Sequence, residues 1–294
     1  MFAYHRFVGN WDSYSYQVGQ NMFLYAPLGQ RSTLLPWDID FVLGEGNGPG
    51  NFFTAGQDGV IQTLFNVPAY RRMLWRAYQD AANGPALPQN FQPQVDARRE
   101  ALLKNGINRT APTSITSYLN SARNIVNNSL AQSDAPDFSI TSNGGADFIS
   151  PDPTVALTGR APFAVVSIEV NGVPFPVTWT TLTAWQITVP LGGRTNILEL
   201  VGRDLRGQLV AGAIDTITIE YNGSIPQPDE WVVINEIMYN PAQPDAEFIE
   251  LHNRHPSFAF DLSGFQMSGV DFILPPGSFI QPNGFLVLVE NRAV

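Results

Sequence analysis

The sequence has 294 residues, no cysteine and a formal net charge of −10. The length predicts two or three domains, and the lack of cysteine argues against disulfides, thiol chemistry and thiolate metal sites. An acidic chain without a basic run is a poor match to nucleic acid. The sequence contains no run of about 18 apolar residues, so it predicts no transmembrane segment.

The acidity increases along the chain. Residues 1–136 carry 9 acids and 10 bases, residues 137–228 carry 8 and 4, and residues 229–294 carry 9 and 2. Lys104 is the only lysine in the sequence, so chemistry that requires a lysine has one candidate. The first residues show neither the basic segment nor the apolar stretch of a signal peptide.

The first fifty residues are rich in aromatic side chains and have the pattern of strands. The stretches NMFLYAP (21–27) and STLLPWDIDFVLG (32–44) flank a polar turn, which predicts a β-hairpin. Asp38 and Asp40 alternate with apolar residues, so both carboxylates are predicted on one face of the strand, about 6.5–7 Å apart.

From about residue 66 the apolar residues recur with the period of a helix. The pattern predicts a helix from Pro68 to a stop at 83–85, a weaker helix over 95–103, and a long helix from Thr113 to about Leu130. The apolar face of the first of these is predicted from Tyr70, Met73, Leu74, Ala77, Tyr78 and Ala81.

Beyond residue 137 the helical period is replaced by alternation. Short strands separated by turn signals predict a β-sandwich over 137–228, and a proline-bearing linker over 224–230 precedes a second β module over 229–294. A module of about 65 residues makes a thin sandwich, so we expect the last module to be truncated. Both ends of the sequence are expected to be breaks in a longer protein.

The stretches GNWDSYSYQVGQNMFLY (9–25) and LLPWDIDFVLG (34–44) resemble the C-terminal half of the CotH (spore-coat protein) kinase family, and the resemblance extends to about residue 132. It implies an α+β kinase-like part, atypical protein kinase activity, and Mg²⁺ and ATP as cofactors. Carried over position by position, Asp12 and Asp38 are the catalytic carboxylates. Asp38, Asp40 and Asn21 are the metal ligands, and Asn21 and Asp40 are the cofactor-binding residues.

The alternative for Asp38 and Asp40 is an exposed strand face without function. A kinase also needs a nucleotide-covering lobe with a basic residue, which the sequence before Asp12 does not supply. Lys104 is predicted to be a surface charge, and GEGNGPG (44–50) lacks the Lys-Ser/Thr of a P-loop, which predicts a flexible loop. The chain by itself is therefore expected to be inactive.

Residues 231–294 resemble the lamin-tail domain, an immunoglobulin-like β module, without its last strands, and the middle part resembles the small β-sandwich found between these two in large bacterial surface proteins. Glu236, Glu247 and Glu250 are predicted on a solvated strand face, with Ca²⁺ or a basic partner as the alternative. His252 and His255 are predicted to be exposed loop residues rather than a zinc site.

Two functions therefore stay open from the sequence. The first is an Mg²⁺-dependent CotH-like kinase region joined to β modules in a bacterial surface or secreted protein. The second is a non-catalytic structural or adhesion protein that acts through its lamin-tail-like module. Both imply an extracellular or cell-surface location and an unknown protein or surface partner of the β modules.

Overall fold

The computed structural model describes residues 1–16, 21–45, 48–50, 52–54, 59–275 and 278–289. The chain divides into two compact units. The first comprises Met1–Ala135 with Trp179–Thr183, and the second comprises Pro136–Thr178 with Ala184–Val294. The first unit mixes helices with a small hairpin, and the second is built from β-sheets. The chain is thus multidomain, with an α+β N-terminal part and a β-rich C-terminal part.

The first unit contains five helices and two strands among its described residues. In chain order they are α1 (Phe2–Phe7), β1 (Met22–Tyr25), β2 (Thr33–Pro36), α2 (Gly59–Asn66), α3 (Pro68–Asn83), α4 (Pro88–Lys104) and α5 (Thr113–Ser133). The predicted helices α3 and α5 are confirmed, whereas α4 begins at Pro88, before the predicted start at residue 95. Helices α3 and α4 each begin with a proline, which needs no N–H partner at that position. Helices α1 and α2 were not predicted.

The core of the first unit lies between α3 and α5. An aromatic cluster around Phe52 joins α1 to α3, with Phe52 stacked 6.0 Å from Phe7. The side chains that α5 buries are Tyr118, Leu119, Ala122, Val126 and Leu130. The hydroxyl of Tyr78 donates a 2.7 Å hydrogen bond to the carbonyl oxygen of Phe52. These contacts fix the position of α1. The stretch of chain that carries Asp12 comes directly after this helix.

The predicted apolar face of α3 is wrong in part. Tyr70 and Met73 are 50% and 57% exposed, whereas Arg72 is fully buried. The Arg72 guanidinium lies 3.5 Å from the ring of Trp179 and donates a hydrogen bond to the carbonyl oxygen of Leu182. Burial lowers the pKa of Arg72 to about 9, so the side chain stays charged at neutral pH and is stabilised by the ring and the carbonyl group.

The second unit begins with two facing sets of strands. They are β3 (Ser139–Ile140), β4 (Phe148–Ser150), β5 (Thr154–Arg160), β6 (Ser167–Val170), β7 (Val173–Phe175), β8 (Thr178–Trp179), β9 (Ala184–Pro190), β10 (Thr195–Arg203) and β11 (Leu209–Tyr221), and the second residue of β8 is counted in the first unit. One sheet has the order β4-β11-β10-β6-β7, and the other has the order β3-β5-β9-β8. Asn171 and Gly172 both have positive φ, as the tight turn between β6 and β7 requires.

The core of these sheets is organised around Trp185. Its side chain is 1% exposed and stacks 5.9 Å from the ring of Phe138. A Cβ atom at Gly159 would overlap both the Trp185 ring and the carbonyl oxygen of Ser139, so this strand position requires glycine because of packing rather than backbone conformation.

The C-terminal part of the second unit contains shorter strands. They follow the one-turn helix α6 (Pro228–Trp231) and are β12 (Val232–Met238), β13 (Phe248–Asn253), β14 (Phe260–Asp261), β15 (Gln266–Met267), β16 (Phe272–Ile273), β17 (Phe279–Ile280) and β18 (Phe285–Val289). Strands β12, β13 and β18 form an antiparallel sheet with β13 in the middle, and β14 pairs with β17 and β15 with β16. In the described ranges, no helix has the length and hydropathy needed to span a membrane.

Candidate functional site

The predicted hairpin forms, but its second strand is shorter than the sequence pattern indicates. Strand β2 ends at Pro36, and Asp38 has a φ of +50°, in the left-handed region. The prediction that Asp38 and Asp40 lie on one strand face is therefore wrong, because alternation applies only while the backbone stays extended. Pro36 carries no N–H for a further ladder hydrogen bond, and aspartate is one of the few residues that tolerate the left-handed conformation.

Asp12 and Asn21 are in direct contact. The side-chain amide of Asn21 donates hydrogen bonds to the main-chain oxygen of Asp12 at 2.8 Å and to its Oδ2 atom at 3.0 Å. Asn21 also has a positive φ and directly precedes β1. The stretch after α1 that carries Asp12 is called the Asp12 loop below. The pair is half-buried, so the Asp12 carboxylate has a fixed orientation while part of it remains accessible.

The fold brings the segment containing Asp38 and Asp40 beside the Asp12 loop. The main-chain N–H of Trp37 donates to the oxygen of Asn21 at 2.9 Å, and the N–H of Leu43 donates to the oxygen of Val8 at 2.7 Å. Between these two points, the ring of Trp11 contacts the ring of Phe41 with centroids 5.2 Å apart. The residues on both sides of the Asp38–Asp40 segment are thus tied to the stretch of chain that carries Asp12 and Asn21.

The arrangement suits a hard cation by the chemistry of its donors. Asp38 and Asp40 are exposed, and carboxylate and amide oxygens are the ligands that Mg²⁺ takes together with substrate phosphates. Among the described residues, no group of three or more His, Asp or Glu side chains converges on one point. Mg²⁺ sites use one or two carboxylates in addition to phosphate oxygens and water, and Asp12, Asn21 and Asp38 supply oxygen donors of that kind.

Sequence reasoning missed a buried polar group beneath this loop. Arg6 is 1% exposed, and its Nε and Nη2 atoms donate to the oxygen of Ser15 at 2.8 and 2.6 Å. Its Nη1 atom donates to the oxygens of Phe52 and Thr54, and its guanidinium lies about 5 Å from the ring of Tyr16. The segment that follows Asp12 is therefore anchored to α1 through this arginine. No local sequence signal separates such an arginine from a surface one.

His5 and Asn10 form a second buried contact in the same place. The Asn10 amide nitrogen lies 3.0 Å from Nδ1 of His5, and the main-chain N–H of Asn10 donates to the oxygen of His5 at 2.8 Å. Burial is the main cause that lowers the pKa of His5, so the ring is neutral and accepts the amide hydrogen bond.

Two other sequence predictions have different outcomes. Lys104 is a surface residue, since its ammonium group lies 3.7 Å from Glu100 with both side chains more than two-thirds exposed. Gly46 and Asn47, in the middle of the glycine-rich loop, lie outside the described residues, and the flexible-loop interpretation stays a prediction.

The two histidines of the C-terminal module are not exposed loop residues. His252 lies in β13, with its ring stacked 4.3 Å from that of Phe285. The Nδ1 atom of His255 accepts hydrogen bonds from the N–H groups of Ser257 and Phe258 at 3.2 and 2.8 Å. A ring nitrogen that accepts two N–H groups is unprotonated, so His255 closes a turn in its neutral form.

This arrangement predicts a pH dependence of stability. Burial lowers the pKa of His255 below its usual value of 6.5, so the unfolded chain binds a proton at higher pH than the folded one. The contribution of His255 is complete above pH 6.5 and is lost as the pH falls from 6.5 to the lowered pKa. We expect the melting temperature of the second unit to fall over this interval, and calorimetry between pH 5 and 8 measures it.

The matched control is His252→Gln, which leaves His255 in place and should retain this pH dependence, whereas His255→Gln should reduce it and lower the melting temperature at pH 7.5. Equal pH profiles for His255→Gln and the unaltered chain would contradict the assignment.

Comparisons with known proteins agree with both resemblances. Residues 1–129 match the family described as CotH kinase protein, and residues 226–294 match the Lamin Tail Domain. The search of curated proteins found no match.

Among solved structures, the chain is similar to a Bacteroides ovatus protein described as mixed-linkage glucan utilization locus SGBP-B in complex with a mixed-linkage heptasaccharide. The identity is 16% and the TM-score 0.19, with 48% of this chain covered, and the match spans 33% of the length of that structure. This similarity is too low to support an argument about fold or ligand. The two family matches agree with the arrangement that the sequence predicts, a stretch similar to the CotH kinase family followed by one similar to the lamin tail domain.

Proposed function

We propose that the CotH region is the Mg²⁺- and nucleotide-binding part of an atypical protein kinase, and that the β modules bind a partner at the surface of a bacterial cell. The observation that carries the proposal is the contact of the Asp12–Asn21 pair with the segment containing Asp38 and Asp40. These four residues come from two stretches of chain that main-chain hydrogen bonds hold side by side, so a phosphoryl-transfer site could draw its ligands from both.

The roles of the residues follow from their positions. The Asp12 carboxylate, held by the Asn21 amide, would accept the hydrogen bond of an acceptor hydroxyl group and orient it. Asp38 would be the principal ligand of Mg²⁺, with Asn21 and Asp40 in support, and the bound ion would neutralise charge on the transferring phosphate. A kinase-like fold for the first unit and immunoglobulin-like modules in the second are part of this proposal.

A specific observation favours the second candidate, a non-catalytic adhesion protein. One face of the sheet formed by β12, β13 and β18 exposes Phe285, Val287 and Val289, which are 45–55% accessible. Exposed apolar side chains on one sheet face are typical of an interaction surface. In this function the lamin tail domain binds the partner, and the acidic residues of the first unit are without a ligand.

Metal binding to the chain separates the two functions. Titration with Mn²⁺, followed by electron paramagnetic resonance in the presence of ATP, should detect a site in the unaltered chain. Asp38→Asn and Asp12→Asn should each weaken the metal–nucleotide complex at least about ten-fold, or roughly 1.4 kcal/mol, because each removes a negative charge from the site. Asp40→Asn should have a smaller effect.

The control is Asp96→Asn, which removes the same charge from an exposed position on α4. If the unaltered chain binds no Mn²⁺–ATP, or if Asp38→Asn binds it like the Asp96 control, the metal site is wrong and the adhesion function is favoured. Phosphate transfer from labelled ATP by a longer form of the protein, compared between the same variants, then tests the kinase activity itself.

A further inference from the structure

Tyr118 lies under the junction of the two segments that carry the candidate site. It belongs to α5 and is 4% exposed. A Cβ atom added at Gly9 would overlap the hydroxyl oxygen of Tyr118 and lie 2.9 Å from its Cζ, and one added at Gly44 would lie 3.4 Å from its Cδ2. The side chain of Tyr118 therefore fills the space beside both glycines, with its hydroxyl end at Gly9 and its ring at Gly44.

The two glycines lie next to the two segments of the candidate site, one before the first segment and one after the second. Gly9 precedes Asp12 by three residues, and Gly44 follows Asp40 by four. Their φ angles are +76° and +98°, so both positions are strained for any residue with a side chain. The hydrogen bond from the Leu43 N–H to the Val8 oxygen, 2.7 Å long, joins the residues directly before them.

We propose that Tyr118 is a positioning residue whose ring sets the separation between the Asp12 loop and the Asp38–Asp40 segment. Helix α5 is held by the core of the first unit, so the side chain of Tyr118 has a fixed position. The chain at Gly9 and the chain at Gly44 both pack against it. The consequence for metal binding rests on the proposed function, whereas the consequence for the geometry of the two segments does not.

The hydroxyl group contributes to this role by its volume beside Gly9 and not by a hydrogen bond. Among the described residues the Tyr118 hydroxyl has no hydrogen-bond partner, and burial raises its pKa, so it remains protonated and uncharged at neutral pH. The hydroxyl group therefore serves neither as a proton relay nor as a tether. Tyr118→Phe keeps the ring and its contact with Gly44 and should stay close to the unaltered chain, whereas Tyr118→Leu removes the flat surface on which both segments pack.

The Leu43 amide provides a direct readout, because its hydrogen bond spans the junction. In native-state hydrogen exchange, Tyr118→Leu should accelerate exchange of this amide at least about ten-fold more than the core amides of α3. Tyr118→Phe should restore the slow exchange, and Tyr70→Leu, at an exposed tyrosine of α3, should leave it unchanged.

A double-mutant cycle tests the contact itself. Gly9→Ala places a methyl group against the ring, so its effect on Leu43 exchange should be smaller in the Tyr118→Leu background than in the unaltered chain. Backbone strain at Gly9 alone would give equal effects in both backgrounds, which would overturn the proposal.

Four further results decide the outcome. Equal acceleration of all amides in the first unit would make Tyr118 an ordinary core residue and overturn the proposal, as would Tyr118→Phe behaving like Tyr118→Leu. Selective acceleration of Leu43, together with about a ten-fold loss of Mn²⁺–ATP affinity, supports both the positioning role and the metal site. Selective acceleration in a chain that binds no metal supports the positioning role and refutes only the proposed function.

Discussion

Replacing Arg6 by methionine is expected to destabilise the first unit by about 3–5 kcal/mol, because it removes the guanidinium donors of three main-chain oxygens. Methionine fills much of the volume of the arginine stem, so the loss is chiefly one of hydrogen bonds. The oxygens of Ser15 and Thr54 accept from this guanidinium, and the oxygen of Phe52 accepts from it and from the hydroxyl of Tyr78. An unsatisfied buried acceptor retains its desolvation cost without compensation.

Calorimetry or chemical denaturation of the whole chain measures this effect. Arg98→Met, at an exposed arginine of α4, is the matched control and should change stability by less than about 0.5 kcal/mol. Arg6→Lys should lie between the two, because an ammonium group cannot satisfy several carbonyl oxygens in different directions. A loss of less than about 1 kcal/mol in Arg6→Met would show that the guanidinium is not the anchor of this loop.

Replacing Asn253 by leucine is expected to destabilise the second unit by a comparable amount, about 3 kcal/mol or more. Asn253 is fully buried at the end of β13, and its amide nitrogen donates to the oxygens of Phe258, Gln281 and Ile280 at 2.8, 3.0 and 3.3 Å. Its side-chain oxygen accepts the N–H of His255 at 2.8 Å. Leucine has a similar volume but supplies none of these partners.

The control for this change is Asn240→Leu, at an exposed asparagine of the same unit, which should have little effect. Because the chain forms two compact units, Arg6→Met should lower the transition of the first and Asn253→Leu that of the second. If either variant shifts a single shared transition, the two units unfold together. If Asn253→Leu is as stable as its control, the amide is dispensable to this module.

Local pattern predicted part of the regular elements. Helices α3 and α5 lie where apolar spacing places them, since a helix forms from contacts three or four residues apart, whereas α4 starts before its predicted bounds and α1 and α2 were missed. The turn at Asn171-Gly172 follows from the backbone preferences of two residues. The boundary of β2 was missed, because continued alternation through Asp38 concealed a left-handed residue.

The buried face of α3 was predicted incorrectly for a related reason. Apolar spacing favours a face that includes Tyr70 and Met73, whereas the structure buries Arg72 against Trp179, more than one hundred residues away in the sequence. An arginine is assigned to the surface unless a distant aromatic ring and a carbonyl group are known to meet it. The buried position of Arg6 was not predicted for the same reason.

For the candidate site, the sequence by itself determined which residues carry suitable chemistry. Asp12, Asn21, Asp38 and Asp40 were identified from their side chains and from the family resemblance, before any geometry was known. Only the tertiary structure decided which of them meet and how: Asn21 bonds to Asp12, and Trp37, Phe41 and Leu43 tie the second segment to the first. Strand alternation is a local property, whereas the separation of two loops depends on what packs beneath both. Here the ring beneath both is Tyr118, contributed by a helix more than seventy residues further along the chain.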